Sequence, residues 1–426
     1  MANTPVSSAS GWQRGFWNLM VTQFQNAFSD NALKTLISFM LLASVVVGVG
    51  ASKEELIAAK KHKALLIAVV SAVFFAPFIL FAMLGGWMAD RYSKQRVMVK
   101  VKVAEMFIMA FAGLALWAPG LTLKLVAVFL MGCHSAIFAP SKYGIMPEIL
   151  PHEKLSWGNG IMELLTFLGV ILSTIAAGLF VKEFKGKEWL AGPILLVLAI
   201  IGWAFSRSIT PAPAAAPDSP LRINPFTDLW RQLSIMNQDR DLWRACWGNA
   251  GFFFISALVM MNVMLFGEDT LKLPEEDVAI LNVWLMIGVG LGSVFAGYVS
   301  RGHIEYRLVP IGALGLALST IPMGWPGVSL NTFSVCLGVL GFSAGLFIVP
   351  IVSVIQHRPS PESKGAVQGA VSSLSFIGMM VSAGVFWVAS EVFNISSGQV
   401  FWVCGASALI CGAYSAISRG RFIKAE

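Results

Sequence analysis

Twelve apolar stretches, each about long enough to cross a lipid bilayer, dominate this sequence of 426 residues. An α-helix needs about 20 mainly apolar residues to span the hydrocarbon layer. The stretches fall into two groups of six, separated by a long polar segment at residues 207–240. We therefore predict an all-α integral membrane protein with twelve transmembrane helices. The predicted spans are residues 16–47, 64–89, 101–118, 121–145, 157–180, 190–205, 244–266, 278–299, 308–323, 332–354, 366–389 and 400–417.

The composition excludes a water-soluble fold. Charged residues make up 12% of the chain and hydrophobic residues 56%, whereas soluble domains carry about 25% charged residues. The formal net charge of +7 comes from basic residues spread over many short loops. Because these residues form no basic face and no aromatic RNA- or DNA-binding motif accompanies them, we expect no nucleic-acid partner.

The cysteines predict neither disulfides nor a metal site. They are odd in number, lie mostly inside apolar stretches and form no Cys-x-x-Cys or Cys/His cluster. We expect buried thiols and no cofactor. The residues are Cys133, Cys246, Cys336, Cys404 and Cys411.

The chain divides into three predicted parts. Residues 1–206 form an N-terminal six-helix bundle and residues 241–426 a C-terminal one. Residues 207–240 are rich in Pro, Ala and charge, which predicts a cytoplasmic linker. Residues 225–236 within it have the pattern of a short amphipathic helix at the membrane surface.

The distribution of Lys and Arg indicates the orientation. The loops after even-numbered spans hold most of the basic residues, and cytoplasmic loops are the ones that carry such an excess. Both termini are therefore predicted to be cytoplasmic, although the cluster Lys60, Lys61 and Lys63 runs against this rule. No small-residue cleavage site follows the first apolar stretch, so we expect it to remain as a helix rather than act as a signal peptide.

The stretch GGWMADRYSKQR, residues 85–96, joins the second and third spans. Its glycines allow close helix approach. Its acid could sit at a helix N-terminus, or pair with arginine, and so latch the cytoplasmic side. An ordinary basic loop is the competing interpretation. The stretch resembles the signature loop of the major facilitator superfamily, and residues 292–307 form a degenerate second copy. The predicted gate residues are Gly85, Gly86, Asp90, Arg91 and Arg96.

A polar stripe crosses the first span. Asn26, Asp30 and Lys34 are spaced by four, so a helix places them on one face, with Asn31 beside them. Charges at this depth normally face a bundle interior or a wet cavity. A substrate site is one interpretation, and a structural salt bridge between Asp30 and Lys34 is the other.

Other polar residues join the candidate substrate site. Lys142 ends the fourth span, Asn159 and Glu163 share a face of the fifth, and Asn249 lies in the seventh. Glu163 could pair with Lys142 or with Lys34, and the sequence does not choose between them. Lys102 and Glu105, three residues apart in the third span, are interpreted as a local ion pair.

Four stretches, AFSDNALKTLI, FAPSKYGIMPEILP, LSWGNGIMELLTF and IQHRPSPESKGAVQG, resemble the lysophospholipid transporter branch of the superfamily. The resemblance implies a major facilitator fold with two pseudo-symmetric bundles in a bacterial cell inner membrane. It also implies that lysophospholipids, such as lysophosphatidylethanolamine and lysophosphatidylglycerol, move from the outer to the inner leaflet by alternating access. An acyltransferase–acyl carrier protein synthetase then reacylates them, and some members are fused to it.

The chain departs from the family at its seventh span. Some relatives place a basic residue there to face the first-span aspartate, whereas this chain has Gly251 and the three phenylalanines that follow. Lys34 could replace that partner. Because the sequence ends at Glu426, soon after the last span, we expect a free-standing transporter or a piece of a fusion. We also expect a monomer.

Two other functions remain open. A proton-coupled carrier of another small amphipathic metabolite would use a titrating membrane carboxylate, for which Asp30 is the candidate. A membrane anchor for an acyltransferase would transport nothing. No nucleophile–base pair, metal cluster or phosphate-binding loop is present in the sequence, so we expect no enzyme.

Overall fold

The computed structural model describes residues 11–45, 52–222 and 224–415. Within these residues the chain forms thirteen α-helices. The helices are α1 (Gly11–Ser44), α2 (Lys53–Arg91), α3 (Lys94–Trp117), α4 (Thr122–Ile149), α5 (Leu155–Glu183), α6 (Ala191–Ser206), α7 (Pro225–Met236), α8 (Arg240–Asp269), α9 (Glu275–Val299), α10 (Leu308–Met323), α11 (Leu330–His357), α12 (Lys364–Trp387) and α13 (Ser397–Ser415).

The prediction of twelve spans is confirmed, and a helix also forms in the predicted linker. Each predicted span overlaps one long helix, and α7 has the predicted bounds of 225–236. Residues 46–47 and 416–417 of the first and last predicted spans lie outside the described residues. On α7, Leu229, Leu233 and Met236 are buried while Trp230 is 74% exposed.

Lipid-facing surface is abundant on the helices. Among the described residues, eight helices are long and apolar enough to cross a membrane, and α10 is a shorter apolar helix. Large apolar side chains such as Phe107, Trp117 and Ile410 are more than 70% exposed. Such exposure is stable in hydrocarbon and not in water. The helix α3 is not among the eight, because Lys94, Lys102, Glu105 and other charges interrupt its apolar sequence.

The helices group into two compact units. The first contains the described residues of 1–149, 165–226 and 361–373, and α1 packs there against α2, α4 and α6. The second contains the described residues of 150–164, 227–360 and 374–426, and α11 packs there against α8, α9 and α10. The division of the sequence at residues 206 and 241 into two functional bundles stays a prediction.

An ion pair in the second unit joins the start of α8 to the end of α11. Asp239 caps α8 by accepting hydrogen bonds from the N–H groups of Asp241 and Leu242. Arg358 donates to both carboxylate oxygens of Asp239, at 3.0 and 2.9 Å. Burial raises the pKa of Asp239, but the hydrogen bonds from Arg358 and the two N–H groups outweigh it, so the pKa lies below its usual value.

This pair predicts a small, pH-dependent contribution to stability. A depressed folded-state pKa stabilises the protein above the unfolded value of about 4, and this stabilisation is lost as the pH falls through the folded value. Because both side chains are about one-third exposed, solvent limits the contribution to about 1 kcal/mol or less. Asp239→Asn, which keeps the helix cap, should lower the unfolding midpoint slightly at pH 7 and not at pH 3. If the variant and the wild type still differ in unfolding midpoint at pH 3, the ionised Asp239 carboxylate is not the source of the stabilisation.

Candidate functional site

The polar stripe of α1 lies inside a buried hydrogen-bond network in the first unit. Asn26 Nδ2 donates to Asp30 Oδ2 at 2.9 Å, and the hydroxyl of Ser135 on α4 donates to the same oxygen at 2.6 Å. All three side chains are at most 8% exposed. The other carboxylate oxygen of Asp30, Oδ1, has no hydrogen-bond partner among the described residues. Asp30 therefore keeps a free acceptor at a buried position.

A fully buried ion pair supports the stripe from α3. Lys102 Nζ lies 2.6 Å from Glu105 Oε2 and donates to Asn26 Oδ1 and Gln25 Oε1, each at 2.8 Å. Gln25 in turn donates to the other carboxylate oxygen of Glu105 at 2.8 Å. The predicted Lys102–Glu105 pair is confirmed. Lys102 donates a hydrogen bond to Asn26, and Asn26 donates one to Asp30. The Lys102–Glu105 pair therefore helps to fix the position of the Asp30 carboxylate.

His134 completes this network. Its Nε2 lies 3.3 Å from Glu105 Oε2, and its ring stacks on Phe138 with centroids 6.0 Å apart. The sequence interpretation missed His134 and Ser135. A titratable side chain in the middle of an apolar span was the available signal, because such residues are rare in membranes and usually functional.

The structure does not pair Lys34 with Asp30. The ammonium of Lys34 lies over the rings of Phe74 and Phe75 on α2, at 5.2 and 5.6 Å from their centroids. Among the described residues no ion pair links it to Asp30, so the structural salt bridge considered from the sequence is absent. Asn31 is half-buried, and its Nδ2 donates to the Ala27 carbonyl oxygen on the same helix at 2.9 Å.

The other candidate residues contact different neighbours. Asn159 on α5 exchanges two hydrogen bonds with the amide of Gln356 on α11, each 2.9 Å long. Asn249 on α8 donates to Ser375 Oγ at 2.8 Å. Lys142 is buried with its ammonium 4.7 Å from the Tyr143 ring centroid, and Glu163 is half-buried. Their roles in substrate binding, and the choice of partner for Glu163, stay predictions.

Asp90 lies at a helix N-terminus, which is one of the two alternatives that the sequence left open. Its carboxylate accepts hydrogen bonds from the N–H groups of Gly365, at 2.6 Å, and Ala366, at 2.7 Å. Both groups lie in the first turn of α12, whose N–H groups have no partner within the helix. The carboxylate thus caps α12 and ties the end of α2 to it in the first unit, where the helix dipole favours a negative charge.

Two glycines make this approach of α2 and α12 feasible. A Cβ atom on Gly86 would lie 2.5 Å from the carbonyl oxygen of Gly365, and one on Gly365 would meet the carbonyl of Gly86. Any side chain at either position would push the helices apart. Gly85 serves another contact, because a Cβ atom there would lie 2.8 Å from the Cα atom of Ile137 on α4.

The basic gate residues contact the linker rather than Asp90. Arg91 Nη1 and Trp87 Nε1 both donate to the carbonyl oxygen of Ser219. Arg96 is exposed. Lys94, two residues before it, is fully buried and forms a 2.6 Å ion pair with Glu148 of α4. The function of these residues as a gate stays a prediction.

Removing the Asp90 carboxylate should destabilise the protein measurably. Asp90→Ala leaves the N–H groups of Gly365 and Ala366 without acceptors, and loss of a helix cap costs about 1–2 kcal/mol. Asp90→Asn keeps an acceptor oxygen and should lose less stability than Asp90→Ala. Thermal unfolding of the purified variants in detergent tests the order wild type, Asp90→Asn, Asp90→Ala. Equal midpoints for all three would show that the cap contributes nothing.

Comparisons with known proteins agree with this helical architecture. The chain is 27% identical over 435 residues to the "Lysophospholipid transporter LplT" of Klebsiella pneumoniae subsp. pneumoniae, covering 97% of this chain and 99% of that protein. It is 26% identical over 369 residues to the protein of the same name from Salmonella typhimurium, covering 84% of this chain and 83% of the other.

Solved structures and a family profile define the fold. The human organic anion transporter MFSD10 superposes with a TM-score of 0.78 at 15% identity, covering 95% of this chain and 99% of that one. The Escherichia coli fucose:proton symporter FucP superposes with a TM-score of 0.72 at 11% identity, covering 96% of this chain and 100% of that one. The profile of the Major Facilitator Superfamily matches residues 19–383. With twelve membrane helices and this match over most of its length, the chain belongs to the Major Facilitator Superfamily.

Proposed function

We propose that this protein is a secondary transporter of lysophospholipids. The observation that carries the proposal is similarity along almost the whole chain to proteins named lysophospholipid transporters. The membrane fold of a transporter superfamily supports it independently. Membership of the same family supports a non-enzymatic role.

The chemistry of the α1 stripe suits this substrate class. A lysophospholipid carries a phosphate, in some cases an amine, and one acyl chain. The free Oδ1 of Asp30 can accept a hydrogen bond from an ethanolamine ammonium. Lys34 or Lys142 can meet the phosphate as a point charge. Phe74 and Phe75, beside Lys34, provide an apolar surface for the acyl chain.

The proposed direction is from the outer to the inner leaflet of a bacterial inner membrane, with both termini cytoplasmic. The asymmetry of Lys and Arg among the loops supports this orientation. Reacylation by an acyltransferase–acyl carrier protein synthetase would then consume the product. The proposed transporter is a monomer.

Uptake of labelled lysophosphatidylethanolamine into the inner leaflet of liposomes tests the proposal. Liposomes containing the purified protein should take up more labelled lipid than empty liposomes. An added fatty acid or diacyl phospholipid should not compete with this uptake. Repeating the assay with and without a proton gradient measures coupling. Folded protein that transports no lysophospholipid would overturn the proposal, and uptake of another amphipathic metabolite would favour the alternative carrier function.

A further inference from the structure

A basic cavity of about 880 Å³ lies where α2 ends and α3 begins, in the first unit. Arg91, Arg96 and Lys100 line it, together with residues 211–214 of the linker. Its volume falls within the range of about 300–1,000 Å³ that is typical of small-molecule sites. The linker strand is held in place because the N–H groups of Ala215 and Ala216 donate to the Asp90 carbonyl oxygen, at 3.1 and 2.8 Å.

The cavity carries uncompensated positive charge. Its lining includes three cations and no carboxylate. Arg96 and Lys100 are exposed, and within the described part of the chain neither has an ion-pair partner. Arg91 uses one nitrogen for the Ser219 carbonyl, which leaves its other donors for a ligand. Asp218, the nearest acid along the linker, is exposed and does not line the cavity. A ligand with negative charge is therefore expected.

Two aromatic residues place the cavity at the depth of lipid headgroups. The guanidinium carbon of Arg91 lies 5.5 Å from the Trp87 ring centroid and 6.0 Å from that of Tyr92. Both rings also line the cavity. Trp and Tyr concentrate at the membrane–water interface. The abundant anion at that depth is the phosphate of an acidic phospholipid, and an Arg side chain can bind two of its oxygens at once.

We propose that this cavity binds the phosphate of an anionic diacyl phospholipid from the surrounding membrane. Arg96 and Lys100 are its primary contacts, Arg91 orients the headgroup, and residues 211–214 enclose it. Binding there would hold the linker against the ends of α2 and α3. The site is separate from the α1 stripe and does not depend on which substrate the protein transports.

Phosphatidylglycerol added to the full-length protein in neutral detergent micelles tests the proposal, with binding measured by native mass spectrometry and by the shift of the unfolding midpoint. The variant Arg96→Ala/Lys100→Ala should bind phosphatidylglycerol about thirtyfold more weakly, from the usual contribution of two surface charges. Arg96→Lys/Lys100→Arg keeps the charges and should retain most of the affinity. Lys185→Ala/Lys187→Ala, which removes two exposed charges elsewhere, should bind as the wild type does.

The controls separate lipid from other sources of phosphate. Phosphatidylcholine, with a neutral headgroup, should bind weakly. Glycerol phosphate in solution should not compete at equal concentration. Unchanged binding by Arg96→Ala/Lys100→Ala would overturn the proposal. Equal binding of glycerol phosphate and phosphatidylglycerol would also overturn it, because the site would then recognise a soluble anion. Both readouts are independent of transport.

Discussion

Replacing Asp30 by asparagine should reduce lysophospholipid uptake tenfold or more while the protein still folds. The asparagine oxygen can accept the hydrogen bonds that Asn26 and Ser135 now donate to Oδ2, so the buried network is retained. Only the charge and the free acceptor Oδ1 are lost. A hydrogen bond to a charged group contributes about 1.5–3 kcal/mol, and each 1.4 kcal/mol corresponds to a factor of ten.

Initial uptake rates and unfolding midpoints of the same preparations check this expectation. Asp218→Asn is the matched control, because it makes the same change at an exposed linker residue. Lys34→Ala should also impair uptake, since it removes the charge beside Phe74 and Phe75. Full activity of both Asp30→Asn and Lys34→Ala would show that the stripe is structural.

Breaking the Lys102–Glu105 pair should cause a large loss of stability. Lys102→Met leaves the Glu105 carboxylate in a fully buried position with Gln25 and His134 as its remaining partners. Removing one partner of a buried ion pair costs about 3–5 kcal/mol, whereas replacing both by apolar residues is often neutral. Lys102→Met/Glu105→Met should therefore recover much of the loss.

Denaturation midpoints of Lys102→Met, Glu105→Met and the double variant, measured in detergent, give the coupling energy between the two residues. Lys100→Met, on the same helix but exposed, is the control and should unfold like the wild type in micelles without anionic lipid. If the stability loss of the double variant relative to the wild type equals the sum of the two single-variant losses, the two residues act independently. Additive losses would show that the Lys102–Glu105 ion pair does not support the polar stripe of α1.

The sequence predicted the helices well because the solvent imposes a simple rule. A chain crossing hydrocarbon must satisfy its backbone inside each segment, so apolar length locates the helices directly. Helix α10 matches its predicted bounds of 308–323, and the linker helix α7 matches at 225–236. Helix ends were less predictable where polar residues continue a helix past the apolar stretch, as α2 does from a capping box at Ser52 and Glu55.

The site was only partly predictable, because helical periodicity shows which residues share a face but not which helix that face meets. The stripe at Asn26 and Asp30 was visible as a spacing of four. Its partners on α3 and α4, Lys102 and Ser135, required the tertiary structure. The same spacing suggested an Asp30–Lys34 pair, and the packing of Lys34 on α2 prevents it.

Substrate protection of a thiol introduced by Asn31→Cys tests most directly whether lysophospholipid is recognised at the α1 stripe. Asn31 is half-buried next to Asp30, and within the described residues its side chain donates a hydrogen bond to the Ala27 carbonyl of its own helix. Lysophosphatidylethanolamine should slow alkylation of this thiol, and should no longer do so when Asp30→Asn is added. The protein without Asn31→Cys measures the background from native cysteines. Alkylation that is unaffected by lysophosphatidylethanolamine, in protein that transports it, would contradict recognition at this stripe.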